Sequence, residues 1–178
     1  MNYGERNFTK YITRAEIDVA IERVAERLNR DYAGKPVLLI CVLKGAYVFC
    51  ADLLRKMKTD TEVEFVRLSS YGKEKQSSGT VTIVKDISVD IQGRHVLIVE
   101  EIIDSGRTLR FLYDRLKKSN PASVEIVTLL DKKSKRVVDV PVKYVGREID
   151  DHFLIGYGLD LEEKARNLAD IYYLKYPN

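Results

Sequence analysis

Apolar and polar positions along the chain follow two periods, and each change of period marks a new element. After Thr13 the residues Ile17, Ile21, Val24, Ala25 and Leu28 recur at helical spacing. Thr13 and Glu16 stand three apart ahead of that run, the spacing of a capping box, so a helix is predicted that ends near Tyr32-Ala33-Gly34. "PVLLICVL" is apolar at consecutive positions, as a strand covered on both faces must be. "AYVFCADLLRKM" returns to helical period, "EVEFVRLSS" reads as a strand, and "TVTIVKDI" alternates like a hairpin strand. Two further doubly buried strands, "HVLIVEE" and "SVEIVTLLD", enclose the helix "TLRFLYDRLKK", which sets Leu109, Leu112 and Leu116 on one side. "VKYVGREI" and "FLIGYG" complete the order. Strand and helix alternate through the middle, which predicts an α/β fold with a right-handed parallel sheet core flanked by helices. Residues 1–178 are read as one domain, with the chain ends forming a small hood over the sheet.

Composition narrows the classes. Of 178 residues, 45% are hydrophobic and 32% charged, which excludes a disordered or collagenous chain. The longest apolar runs are about half the ~20 residues a membrane span needs. The N-terminal "MNYGERNFTKYITRAEID" carries acids and no apolar core of a leader, so a cytoplasmic protein is expected, with no membrane partner. The net charge of +3 is too small to argue for nucleic acid. Cys41 and Cys50 sit in no metal or redox spacing and read as buried thiols. His95 and His152 are isolated, which argues against zinc or a Ser-His-Asp mechanism. "SSYGKEKQSSG" has no apolar period and reads as a long exposed loop.

The chemistry concentrates in "VLIVEEIIDSGRTL", residues 96–109. An apolar strand carries Glu100 and Glu101 to its carboxyl end, where open α/β sheets bind ligands. Asp104-Ser105-Gly106-Arg107-Thr108 then turns into a helix. Gly106 permits a left-handed backbone, so successive N–H groups can converge on an anion, and Ser105 and Thr108 add hydroxyls. Carboxylates among apolar neighbours are costly unless something cationic or hydrogen-bonding meets them. An anion nest beside a pair of acids suits a phosphorylated sugar, with phosphate in the nest and ribose hydroxyls or magnesium on the acids. Neither GxGxxG nor GxxxxGK[ST] occurs.

This stretch resembles the diphosphate-sugar signature of the type I phosphoribosyltransferases. Together with "VLKGAYVF", "SSYG", "LLDKK" and "FLIGYGLD" in that order, it resembles the hypoxanthine-guanine members of that family, from about Pro36 to Arg166. The resemblance implies transfer of a phosphoribosyl group from 5-phosphoribosyl 1-diphosphate to a purine base, with magnesium as cofactor; the eleven tyrosines suit a buried subunit interface, so a homodimer or homotetramer is expected. Ser105, Gly106, Arg107 and Thr108 would hold the 5-phosphate, and Glu100 and Glu101 the ribose hydroxyls and magnesium. Glu101 departs from the aspartate usual there and reaches one methylene further. Asp104 would be the general acid/base. Lys44, Gly45, Ser70, Tyr71 and Arg166 would meet the pyrophosphate, with a cis peptide at Lys44-Gly45 known in the family. Tyr71 opens the polar loop, which would close as a lid. Lys132 would donate to the exocyclic oxygen of the base, Phe153 would stack on it and the backbone of Leu154 would read its edge. Asp160 would bind a second magnesium, and Arg166 lies a helical turn and a half beyond it in "EEKARN". Two alternatives remain open: a nucleic-acid-binding regulator on the same fold, and a pyrimidine phosphoribosyltransferase.

Overall fold

The computed structural model describes residues 2–3, 6–70 and 81–175. In chain order the elements are β1 (Asn2–Tyr3), β2 (Arg6–Ile12), α1 (Arg14–Asp31), β3 (Val37–Leu43), α2 (Tyr47–Leu54), β4 (Thr61–Ser70), β5 (Val81–Lys85) and β6 (His95–Ile103). They continue with α3 (Arg107–Lys117), β7 (Ser123–Asp131), a 3-10 turn (Lys133–Lys135), β8 (Tyr144–Glu148), β9 (Leu154–Ile155) and β10 (Ile171–Leu174). The capping box forms as the spacing requires: Glu16 N–H donates to Thr13 Oγ1 at 3.3 Å and Thr13 N–H donates to Glu16 Oε2 at 2.8 Å. Such a cap contributes about 1 kcal/mol.

A six-stranded sheet has the order β5-β4-β3-β6-β7-β8. All its pairs are parallel except β4 with β5. Leu39 and Cys41 of β3 and Leu97 and Val99 of β6 pack with α1 and α2, whereas Leu38, Ile40, Val96 and Ile98 pack with α3. That division is why these strands read as continuously apolar: the side chains alternate between faces, and both faces are covered. Each fully buried Leu or Ile contributes roughly 1.5–3 kcal/mol.

The chain leaves β3 on one side for β4 and β5, then returns to the other side for β6 and β7. Strand order reverses between β3 and β6, so the turns that follow these two strands diverge and open a crevice at their carboxyl ends. The expected hood is a four-stranded antiparallel sheet, β1-β2-β10-β9, which joins the first and last segments of the chain. Of the predicted strand "FLIGYG" only Leu154–Ile155 is a strand, and it belongs to the hood. No described helix is long and apolar enough to cross a membrane.

Candidate active site

The two turns at the reversal point line one cavity of about 280 Å3, bounded by Lys44 and Gly45 on one side and Glu100, Glu101, Asp104, Ser105, Gly106 and Thr108 on the other. Residues 59 positions apart in sequence (104 less 45) therefore share a surface. β6 runs on to Ile103, so Glu100 and Glu101 lie within the strand rather than past its end. The acids break the apolar pattern but not the β-ladder, because Glu100 still pairs with Thr128 and Ile102 with Leu130.

Glu101 is aimed at the β3 turn. A Cβ on residue 45 would lie 1.8 Å from Glu101 Oε1, so only glycine lets this carboxylate rest against the turn. Glu101 N–H donates to Glu100 Oε1 at 3.1 Å, and Glu101 Oε2 is buried without a hydrogen-bond partner. Burial pushes both carboxyls upward; Glu100 goes well above the usual range, with the charge of Glu101 adding to the effect.

Those shifts have a consequence for stability. With native values raised, the folded protein binds more protons than the unfolded chain once pH exceeds the ordinary carboxyl value near 4.5. Stability from this pair is therefore lost as pH rises from there through the native values. In metal-free protein, Glu100→Gln is expected to raise Tm at pH 8 more than at pH 4.5, measured by thermal scans. A Tm gain independent of pH would exclude the carboxyl repulsion.

Gly106 adopts φ 81° immediately before α3, and a Cβ there would lie 2.9 Å from Arg136 Cδ, Val138 O and Val140 Cγ2. Space and backbone angle both demand glycine. Ser105 O accepts from the N–H groups of Val137 and Val138 at 3.0 and 3.1 Å, which fixes the turn from outside, and Arg107 N–H donates to Ser105 Oγ at 3.4 Å. Arg107 opens α3, and Thr108 and Leu109 follow in its first turn.

Of the other sequence candidates, Lys132 contacts the cavity residue Asp104, and Arg166 shares Glu163 with the cavity residue Lys44. Lys132 is 7% exposed, and its Nζ lies 2.9 Å from Asp104 Oδ1 and 3.7 Å from Asp151 Oδ1. Lys133 is turned outward and pairs with Glu148. Leu154 is buried, whereas Phe153 is 41% exposed and presents its ring to solvent rather than the core. Arg166 pairs with Asp160 at 3.0 Å and Glu163 at 3.3 Å, and its Nη1 donates to Gly158 O at 2.8 Å. Lys44 also binds Glu163, at 2.8 Å. One carboxylate thus gathers two of the expected pyrophosphate cations. Ser70 ends β4 opposite Val81; Tyr71 and the rest of the expected lid lie outside the described residues.

Two expectations need correction. "EEKARN" is not helical: Glu162, Glu163 and Ala165 have φ of 52°, 68° and 69°, and Leu161 bridges Lys164. Left-handed residues interrupt the helix, and Arg166 is held by Gly158 instead. The cis peptide is Leu43–Lys44, one bond earlier than Lys44-Gly45. Sequence reasoning also missed Glu163 and Asp151. Both are ordinary exposed acids in sequence, and only their contacts distinguish them.

With this geometry in view, the relationship to known proteins is direct. The profile described as "Phosphoribosyl transferase domain" matches residues 11–162, and the chain belongs to that family of transferases. It is 43% identical over 172 residues to the hypoxanthine-guanine phosphoribosyltransferase of Streptococcus thermophilus, covering 96% of each chain. A crystal structure of a hypoxanthine-guanine phosphoribosyltransferase from Bacillus anthracis, with a HEPES molecule in the active site, superposes with a TM-score of 0.89 at 42% identity, over 93% of this chain and 97% of that one. Hypoxanthine phosphoribosyltransferase from Trypanosoma cruzi, in complex with the product IMP, is 39% identical with a TM-score of 0.88, over 98% of this chain and 97% of that one.

Proposed function

We propose that this phosphoribosyltransferase moves the 5-phosphoribosyl group from 5-phosphoribosyl 1-diphosphate onto hypoxanthine or guanine, giving the nucleotide and pyrophosphate in purine salvage. The observation that carries the base assignment is the pair Lys132 and Asp104, a buried ammonium held 2.9 Å from a carboxylate at the mouth of the nest. A 6-oxopurine presents its exocyclic oxygen and N7 side by side on one edge. An ammonium suits the oxygen, and a carboxylate suits the neighbouring ring nitrogen as proton donor or acceptor.

The sugar C1–oxygen bond to pyrophosphate breaks and a bond from C1 to the base N9 forms. Asp104 manages the base proton. Ser105, Gly106, Arg107 and Thr108 hold the 5-phosphate at the start of α3. Lys44, Gly45 and Arg166, with Ser70 and Tyr71, take the leaving pyrophosphate. Phe153 stacks on the base, and its exposure supports that role. Leu154 supplies backbone contacts to the base edge.

Among the described residues no group of three or more potential ligands could hold a metal by itself. A magnesium ion shared with substrate oxygens and water needs fewer protein ligands. Glu100 and Glu101 fit it, because Glu101 Oε2 is buried and otherwise unpartnered, and Asp160 would serve a second ion largely through water. When bound, magnesium neutralises charge on the departing pyrophosphate. A cytoplasmic setting and a homodimer or homotetramer belong to the same proposal; of the eleven tyrosines Tyr47 is 45% exposed, while Tyr32, Tyr144 and Tyr157 are used inside the subunit.

The test is turnover of the purified protein with the sugar diphosphate, magnesium and each of hypoxanthine, guanine, xanthine, adenine and uracil. Hypoxanthine and guanine are expected to lead. Uracil turnover would overturn the purine assignment, and salt-sensitive RNA binding without turnover would make the chain a regulator.

A further inference from the structure

Gly156-Tyr157-Gly158 is three successive residues with positive φ, at 96°, 50° and 96°. Two are glycines, for which this costs little; the middle one is a tyrosine, which enters that region only when its surroundings hold it. The surroundings are specific. Tyr157 is 1% exposed, and its hydroxyl donates to Asp52 Oδ2 at 2.5 Å. Asp52 lies in α2, the helix that follows the Lys44-Gly45 turn, and is itself buried. Arg14, the first residue of α1, pairs with Asp52 at 2.9 Å and lies over the Tyr157 ring at 5.2 Å from its centre.

The next residue touches the turn itself. A Cβ on residue 158 would lie 2.2 Å from Gly45 O, so the two backbones are in direct contact. Gly158 also exchanges hydrogen bonds with Arg166, its N–H donating to Arg166 O at 3.0 Å and its carbonyl accepting from Arg166 Nη1 at 2.8 Å. Gly158 thus stands between Gly45 and Arg166, one residue beyond the anchored ring.

We propose that Tyr157 is a positioning residue for the pyrophosphate side of the site: its hydroxyl, fastened to Asp52 on α2, holds Gly158 against Gly45 and so sets the spacing between that turn and Arg166. This rests on the transferase reading above and extends it to a residue that lines no part of the cavity. Burial and the Asp52 carboxylate both raise the Tyr157 phenol above its ordinary value, so it remains a hydrogen-bond donor at any working pH. A purely structural role would be the ordinary expectation for a buried tyrosine, and the same fold supplies the comparison. Tyr144 is also fully buried, and its hydroxyl donates to Asp31 Oδ2 at 2.6 Å, between β8 and the end of α1 and away from the turn.

Tyr157→Phe keeps the ring and removes only the anchor. It is expected to raise KM for the sugar diphosphate, and for pyrophosphate in the reverse reaction, by about tenfold, since small displacements of substrate-binding groups have effects of that order or larger. KM for hypoxanthine is expected to change by less than about twofold. Tyr144→Phe is expected to lower Tm similarly and leave all three constants unchanged. If Tyr157→Phe lowers Tm but moves neither diphosphate constant, or moves the hypoxanthine constant equally, the positioning role is wrong. If that variant does not fold, Asp52→Ala, which removes the acceptor of the Tyr157 hydroxyl, is read in its place: a selective rise in the two diphosphate constants supports the role, and unchanged constants overturn it. Absence of turnover in the unaltered protein would instead undo the transferase reading.

Discussion

Asp104→Asn is expected to lower turnover by ~100-fold or more while affinity for the sugar diphosphate stays nearly unchanged, because proton transfer by a positioned group typically supplies 10²–10⁴-fold. Asparagine preserves the shape and can still accept from Lys132 Nζ, now 2.9 Å away, so the pair geometry survives. What it loses is the capacity to take and return a proton. The carboxylate stands at the mouth of the nest, and more than half of its side chain is exposed, so a base can reach it. Steady-state kinetics give the turnover number and calorimetry with the diphosphate gives the binding. An unchanged turnover number would remove Asp104 from the chemistry.

The second large effect concerns base choice. Lys132→Ala is expected to lose efficiency with hypoxanthine and guanine and to discriminate less against adenine, whereas Lys133→Ala does neither. Lys132 is buried and faces two carboxylates near the site; Lys133 pairs with Glu148 on the surface. Adenine presents an amino group where the ammonium needs an acceptor, leaving two donors opposed. Unsatisfied buried groups cost about 1–3 kcal/mol, more with a charge, so the intact protein is expected to reject adenine by roughly 100-fold or more. Competition assays with mixed bases measure the ratio directly. Equal behaviour of the two alanine variants would mean that no lysine here reads the base.

The sheet was legible because burial on both faces leaves a plain mark: "PVLLICVL" and the "VLIV" of "HVLIVEE" are apolar at consecutive positions, as strands covered by helices on both faces are. The cap at Thr13 and the left-handed turn at Gly106 were legible for the same reason, a residue type tied to a local geometry. The hood was only outlined, because its pairs join Phe8 to Leu174 and Leu154 to Tyr173, and no local period records so distant a partner. "EEKARN" misled because Glu, Lys, Ala and Arg favour helices, a weak preference that the left-handed residues around Leu161 override. Choosing between Lys132 and Lys133 required a family resemblance; nothing in two adjacent lysines says which one faces inward. The gathering of Lys44 and Arg166 by Glu163 left no trace in sequence, since a single acid in a charged stretch is ordinary.

The reversal of strand order between β3 and β6 also decides when in folding a site can exist. Gly45 and Asp104 come together only once the register Val37↔His95 is established, and that contact closes a loop that contains α2, β4 and β5. Loop closure on this scale is entropically costly and slow relative to local helix formation. A chain that has made its helices and its β4–β5 pair therefore still holds the Lys44-Gly45 turn and the Asp104–Thr108 turn apart. Ligand affinity is concentrated in the fully paired sheet, and any molecule that spans both turns draws the folding equilibrium toward that sheet by mass action. Under the proposed binding mode, the substrate's own length would act as a gauge of whether the centre of the fold has closed.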